Sequence, residues 1–166
     1  MITALIAVLL ALILFLLWFV FLKRRRLGTT GGFSCGGELS VDFTTEMPGT
    51  RPNPLEVDEF IFDLLAPGQP ETTLDEMSGH TGLNCGNLLR VTIPAPVSSI
   101  KMVLIHQADP VTVVATEPGG SPVGAPLVTS GSAGVPDTVT LTGANIGIVQ
   151  IRSPQKKTVL LCIGAE

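Results

Sequence analysis

The feature that most constrains this chain is an uninterrupted apolar run over residues 2–22, ITALIAVLLALILFLLWFVFL. It contains one polar residue, Thr3, and no charge. As an α-helix rising about 1.5 Å per residue it would be roughly 32 Å long, enough to cross a hydrocarbon core of about 30 Å. A basic collar follows it directly: Lys23, Arg24, Arg25 and Arg26. The sequence therefore predicts a transmembrane helix with its collar over residues 1–26.

A cleaved signal peptide is the first alternative to a retained anchor. Signal peptides carry positive charge before a core of about 7 to 15 residues and a small-residue cleavage site after it. Here the charges follow the core, the core is longer, and no A-x-A pattern occurs between Leu22 and Gly32. A pilin-like signal also has a long apolar helix, but the acidic residue usual near its start is missing here. A retained anchor fits the sequence best.

The position of the cations predicts the topology of this anchor. Lys and Arg are in excess on the cytoplasmic side of a span, and this chain has none before the run and four directly after it. We therefore expect the N-terminus outside and the C-terminal domain in the cytoplasm. The opposite topology, with the domain exported, is the alternative.

The two ends of the predicted span suggest different contacts. Small side chains near the start would let another helix pack closely: Thr3, Ala4, Ala7 and Ala11. Aromatic side chains near the end favour the membrane interface, beside a collar that attracts anionic headgroups: Trp18, Phe19 and Phe21. The span contains no His, Cys, Asp or Glu, so its side chains offer no ligand for haem or chlorophyll.

The rest of the chain divides into a connector and one domain. Residues 27–37 form a Gly-rich connector, and residues 38–166 are enough for a single domain with a real core. After the collar, six cations remain against fourteen acids, which leaves a formal charge of −8. An acidic domain argues against a nucleic-acid partner, which would require a basic face.

Short apolar runs rich in Val, Ile, Thr and Phe predict the fold of this domain. Segments rich in Pro, Gly, Asn and Ser separate them, and no later stretch keeps a 3.6-residue period. We expect a mainly β protein in which the N-terminal helix is followed by an antiparallel, jelly-roll-like β-sandwich of about eight strands. The eight runs cover residues 38–43, 55–65, 88–93, 100–105, 111–116, 138–142, 146–151 and 158–163.

The order of these runs and turns resembles a known type of domain. An early VDF, a later NPL, an apolar strand after NCG and a closing pair around GIVQIRSP are similar to jelly-roll domains of the carbohydrate-binding-module type in bacterial surface proteins. The resemblance covers about residues 41–163 and implies a fold more than an activity. Such relatives are mostly exported, which differs from the topology that the cations predict.

Sugar recognition and calcium binding have weak support in the sequence. Sugar sites use exposed Trp or Tyr, but the chain has no Tyr, and Phe43, Phe60 and Phe62 lie in core-like strand positions. No cofactor is predicted, although acids in the first third of the domain could hold a structural Ca²⁺. The same acids could dock a basic partner. The candidate docking residues are Glu56, Asp58, Glu59, Asp63, Asp75 and Glu76.

Catalytic and metal-binding patterns are missing from the sequence. His80 and His106 lie near Cys85 and Asp109, but their spacing matches no common metal site. There is no G-x-S-x-G elbow, Walker loop or H-E-x-x-H. We therefore predict a protein that is not an enzyme.

The three cysteines, Cys35, Cys85 and Cys162, leave at least one thiol unpaired. In a cytoplasmic domain all three would be reduced, and Cys162 would be a small core residue. In an exported domain, Cys85 could pair with Cys162 or with Cys35.

Taken together, these observations predict a non-catalytic, single-span accessory or scaffolding subunit of a larger membrane complex, for example a photosynthetic or respiratory one. Its expected partners are anionic lipids and other membrane-protein subunits. The competing hypothesis is an exported, membrane-anchored module for ligand or carbohydrate binding or for surface assembly.

Overall fold

A computed structural model describes residues 33–107, 109–155 and 157–166. The predicted span, its helix-packing and interface residues, and the basic collar lie outside these residues. The part of the chain that is described contains no helix, and so none that could cross a membrane. Residues Gly32–Glu166 group into one compact unit.

The described residues form eleven β-strands, and all their pairings are antiparallel. The mainly β, antiparallel prediction is therefore confirmed, but the expected number of about eight strands is wrong. The strands are β1 Leu39–Asp42, β2 Gly49–Pro52, β3 Leu55–Val57, β4 Phe60–Leu64, β5 Glu71–Met77, β6 His80–Asn84, β7 Leu88–His106, β8 Thr112–Thr116, β9 Pro122–Val128, β10 Asp137–Arg152 and β11 Thr158–Ala165.

Two long strands connect the sheet. Strand β7 pairs with β10 along most of its length, whereas its other edge pairs first with β4 and then with β11. Strand β10 adds β8 through residues 148–152, and β9 follows β8. The path runs β2-β5-β6-β11-β7-β10-β8-β9, with β1 paired to β11 and β3 to β4. The change of partners along β7 fits a β-sandwich.

The strand count differs from the prediction for three reasons. The predicted pairs 88–93 with 100–105 and 138–142 with 146–151 are each one continuous strand, β7 and β10. The predicted run 55–65 is a hairpin, because Asp58 and Glu59 take positive φ angles of 47° and 70° and turn the chain. Four strands were missed because their sequences are polar or rich in Pro and Gly: β2, β5, β6 and β9.

The larger cluster of buried side chains, which we call the main core, contains the three phenylalanines that the sequence predicts to be buried. Phe43, Phe60 and Phe62 are at most 2% exposed, and Phe62 packs edge-on against Phe43. A second buried group, which we call the outer cluster, is separate from this core. It consists of Cys35, Met77, Val103, Ile105, Val159, Leu161 and Cys162, with Phe33 packed against it.

Strand β11 is the element that these two clusters share. All eight of its residues are buried, so neither face is open to solvent. Leu160 and Ile163 belong to the main core, whereas Leu161 and Cys162 belong to the outer cluster. A strand buried on both faces must be covered on its second face by something other than the main core. Part of that cover is the segment before β1.

Candidate functional site: the tether clamp

Residues 33–37 lie over β11 and are joined to it by a disulfide. Cys35 bonds to Cys162, with their Cα atoms 5.8 Å apart. Gly36 and Gly37 then pass Gly164 and Ala165, and β1 returns along the edge of β11. We call residues 33–37, with Cys162 and Gly164, the tether clamp. It fixes the point at which the preceding chain enters the domain.

Glycines make this close passage possible. A Cβ atom added to Gly164 would overlap the carbonyl oxygen of Gly36, and one added to Gly37 would lie 2.5 Å from the carbonyl oxygen of Ala165. Gly37 also has a φ of +94°, a conformation that L side chains rarely adopt. The two backbone segments can approach this closely because Gly37 and Gly164 have no Cβ atom at these contacts.

A bulge in β11 orients the Cys162 side chain toward Cys35. The ladder between β11 and β7 shifts between Leu160 and Cys162, so Leu161 is an extra residue in β11. Successive side chains in a regular strand point to opposite faces. The extra residue breaks this alternation and places both Leu161 and Cys162 in the outer cluster. Cys162 therefore faces Cys35 rather than the main core.

The clamp has a second contact, at β6. The ring of Phe33 meets the ring of His80 edge-on, with centroids 5.0 Å apart. His80 is the first residue of β6, immediately after the turn at Ser78 and Gly79. Among the described residues there is no group of three or more His, Cys, Asp or Glu side chains that could hold a metal ion. His106, at the end of β7, is buried.

The cysteine interpretation needs correction. Cys35 bonds to Cys162, so the expectation of three reduced thiols is wrong, and so are both of the pairings that used Cys85. Cys85 is fully buried in the main core, on the opposite side of β11 from the other two cysteines. Burial raises the pKa of its thiol, despite a backbone hydrogen bond involving Leu160 that lowers it. The thiolate is the reactive form of cysteine, so burial and the raised pKa both disfavour reaction at Cys85.

The predicted docking acids lie on two parts of the sheet. Four belong to the β3–β4 hairpin: Glu56, Asp58, Glu59 and Asp63. Asp75 and Glu76 belong to β5, which pairs with β2 and β6 rather than with the hairpin.

Two of these six acids have partners within the domain. Asp63 pairs with the Arg90 guanidinium on β7, and Asp75 accepts a hydrogen bond of 2.6 Å from the Asn84 side-chain amide. Glu56, Asp58, Glu59 and Glu76 are exposed. The strand pairings therefore do not join the six residues into one patch.

Among the described residues, strand ends line surface cavities, two of which are well defined. The larger, about 700 Å³, lies beside β1 and the end of β11 and is lined by Gly37, Glu38, Leu39, Ala95, Val97, Ala165 and Glu166. The smaller, about 200 Å³, is lined mainly by polar residues of β5 and the loops after β4 and β6. It includes Thr72, whose buried hydroxyl has no hydrogen-bond partner among the described residues.

The clamp was not foreseen from the sequence, although part of its signal is visible. Glycines follow both bonded cysteines, in CGG and CIG, and glycine is expected where backbones approach closely. The missing information was the bulge, which decides the face that Cys162 occupies. Simple alternation along VLLCIG does not reveal it.

Comparisons with known proteins add no assignment. No protein-family model matches the chain, and a search of curated proteins finds no match either.

Proposed function

We propose that this chain is an exported, membrane-anchored, non-catalytic module, in which residues 2–22 span the membrane and the β domain binds a partner outside the cytoplasm. One observation carries the choice of compartment, the disulfide between Cys35 and Cys162. Disulfides persist in oxidising compartments and are rare in the cytosol, where thiols are kept reduced. The finer fold assignment, a jelly roll of the carbohydrate-binding-module type, is part of this proposal.

The clamp supports binding at the membrane surface. It joins the chain leaving the predicted anchor to the middle of the sheet, with only residues 27–34 between the collar and Cys35. A domain attached so closely stays near the lipid headgroups, where it meets other membrane proteins at high effective concentration. The exposed acids Glu56, Asp58 and Glu59 supply a negatively charged hairpin for a basic partner.

The second candidate function is the accessory subunit with a cytoplasmic domain. The collar of Lys23, Arg24, Arg25 and Arg26 favours it, because positive residues mark the cytoplasmic side of a span. In that topology Thr3, Ala4, Ala7 and Ala11 pack against a neighbouring subunit and the β domain docks on its cytoplasmic face. The two candidates share the anchor and differ in the side on which the domain lies.

Protease treatment of intact and lysed cells distinguishes the two candidates. The exported module predicts that protease added to intact cells, after permeabilisation of any outer envelope, removes the C-terminal domain. A domain that is protected until the inner membrane is broken would contradict export and support the accessory subunit. A C-terminal epitope tag reports cleavage, and a cytoplasmic protein of the same cell controls for lysis.

A further inference from the structure

The chain passes twice along the end of β11. Residues 35–37 run over its outer face, with Cys35 at Cys162 and Gly37 at Ala165. The chain then reverses direction, and β1 pairs with residues 162–165 along the edge of β11. Leu39 lies opposite Ala165, and Asp42 lies opposite Cys162. In the sequence, β1 therefore follows the disulfide-bonded Cys35, and in the fold it lies beside the same segment of β11 to which Cys35 is bonded.

Strand β1 alone would be a weak attachment point under tension. It has four residues, and within the ladder its first residue, Leu39, is the one nearest the incoming chain. A pull from residue 33 would load the rung at Leu39 first and then each following rung in turn. Each backbone hydrogen bond contributes only about 0.5–1.5 kcal/mol net, so rungs that break singly resist little.

The disulfide moves the point of loading to β11. Cys162 lies between Val103 of β7 and Asp42 of β1, in a strand that is buried on both faces. A pull from residue 33 reaches Cys162 through the sulfur atoms without passing through β1. The load is then shared by the ladder that β11 forms with β7 over residues 158–165. To release β11, the pull must break these backbone hydrogen bonds and also separate the side chains packed on both faces of the strand.

We propose that the tether clamp is a mechanical joint, which transfers tension from the chain before Phe33 to the centre of the sheet and keeps β1 unloaded. The use of such a joint rests on the proposed function, since an anchored module that binds an external partner is pulled away from its membrane. The mechanical behaviour does not depend on which side of the membrane the domain occupies. A failure of the joint and a failure of the export proposal are therefore distinguishable.

Single-molecule pulling on the full chain in detergent micelles tests this proposal. One handle is attached at the N-terminus, and the other at a peptide tag inserted after Gly119, in the loop between β8 and β9 where the surroundings are open. Without the disulfide, release of the chain from Cys35 to the start of β2 adds at most about 50 Å of length before the sheet unfolds. We expect this early step in reduced protein and its absence in oxidised protein.

Two variants complete the pulling experiment. Cys35→Ser should show the same early step even without reductant, and if it fails to fold, reduced wild-type protein provides the same comparison. Cys85→Ala, which leaves the disulfide intact, should match the oxidised wild type. Extension of residues before Phe33 occurs in every sample and cancels in the comparison. An early step in oxidised wild-type protein, or none in reduced protein, would overturn the proposal.

Discussion

Leu161 and Cys162 are consecutive residues of β11, yet both side chains lie in the outer cluster. The bulge at this point is therefore a requirement for the disulfide, because regular alternation would direct Cys162 into the main core, on the same face as Leu160. The tether clamp and the bulge in β11 therefore depend on each other.

Removal of the disulfide should destabilise the domain strongly. Cys162→Ser opens a loop that spans 127 positions, and losing a native disulfide from a small domain typically costs about 2–5 kcal/mol. Urea unfolding of the full chain in detergent, with and without reductant, measures the effect. Reductant should lower the midpoint of the wild type and of Cys85→Ala, but not that of Cys162→Ser. An unchanged wild-type midpoint would argue against the bond.

A side chain at Gly164 should displace the tether. In Gly164→Ala the new methyl group overlaps the carbonyl oxygen of Gly36, so one backbone must move, and overpacking of this kind costs about 1–3 kcal/mol. We expect a lower urea midpoint and slower disulfide formation after reduction, measured by timed alkylation. Gly119→Ala is the matched control, because nothing lies within 4 Å of the added Cβ. Equal urea midpoints and equal rates of disulfide formation in the two variants would contradict the close contact between Gly36 and Gly164.

Glycine at position 59, in the β3–β4 turn, should stabilise the domain. Glu59 has a φ of 70°, which is unfavourable for a residue with a Cβ, and two-residue hairpin turns prefer glycine at such positions. Glu59→Gly should stabilise the protein by about 0.5–1 kcal/mol in urea unfolding, because it removes left-handed strain of about 1–2 kcal/mol and adds a smaller entropic cost of glycine. Glu56→Gly, within β3, should destabilise it, since glycine weakens a strand. Destabilisation by Glu59→Gly would show that the Glu59 side chain has a structural role.

The ion pair between Asp63 and Arg90 should contribute little to stability. Both side chains remain partly exposed, at 22% and 43%, and exposed pairs typically contribute up to about 1 kcal/mol. Asp63→Asn should therefore lower the free energy of unfolding by no more than about 1 kcal/mol, and by less at high salt. A loss of several kcal/mol that persists at high salt would mean that β4 depends on this pair.

The sequence predicted the strand-rich core well because its signals are local. Alternating apolar residues mark β4, whose Phe60 and Phe62 are fully buried, and a continuous apolar run marks β11. The missed strands lack such patterns. Strand β9 lies at the end of the sheet path, has mostly exposed residues and contains Pro122 and Pro126, which is typical of an edge strand.

Strand continuity and the clamp could not be predicted for a different reason. Pro94 and Pro96 indicate a turn, but they lie in β7 where its ladder with β10 is interrupted between Thr92 and Val97, so their missing N–H groups break no rung. The Cys35 to Cys162 bond depends on a one-residue bulge and on a segment far away in sequence. Such long-range relationships leave no periodic trace in the sequence.

The oxidation state of the cysteines in living cells tests the central claim most directly. Cells producing the full chain are quenched in acid, denatured and treated with a maleimide polymer before or after reduction, and the polymers added per chain are counted by gel shift. The account predicts one addition before reduction, at Cys85, and three afterwards. Three additions before reduction would contradict both the clamp and the exported module.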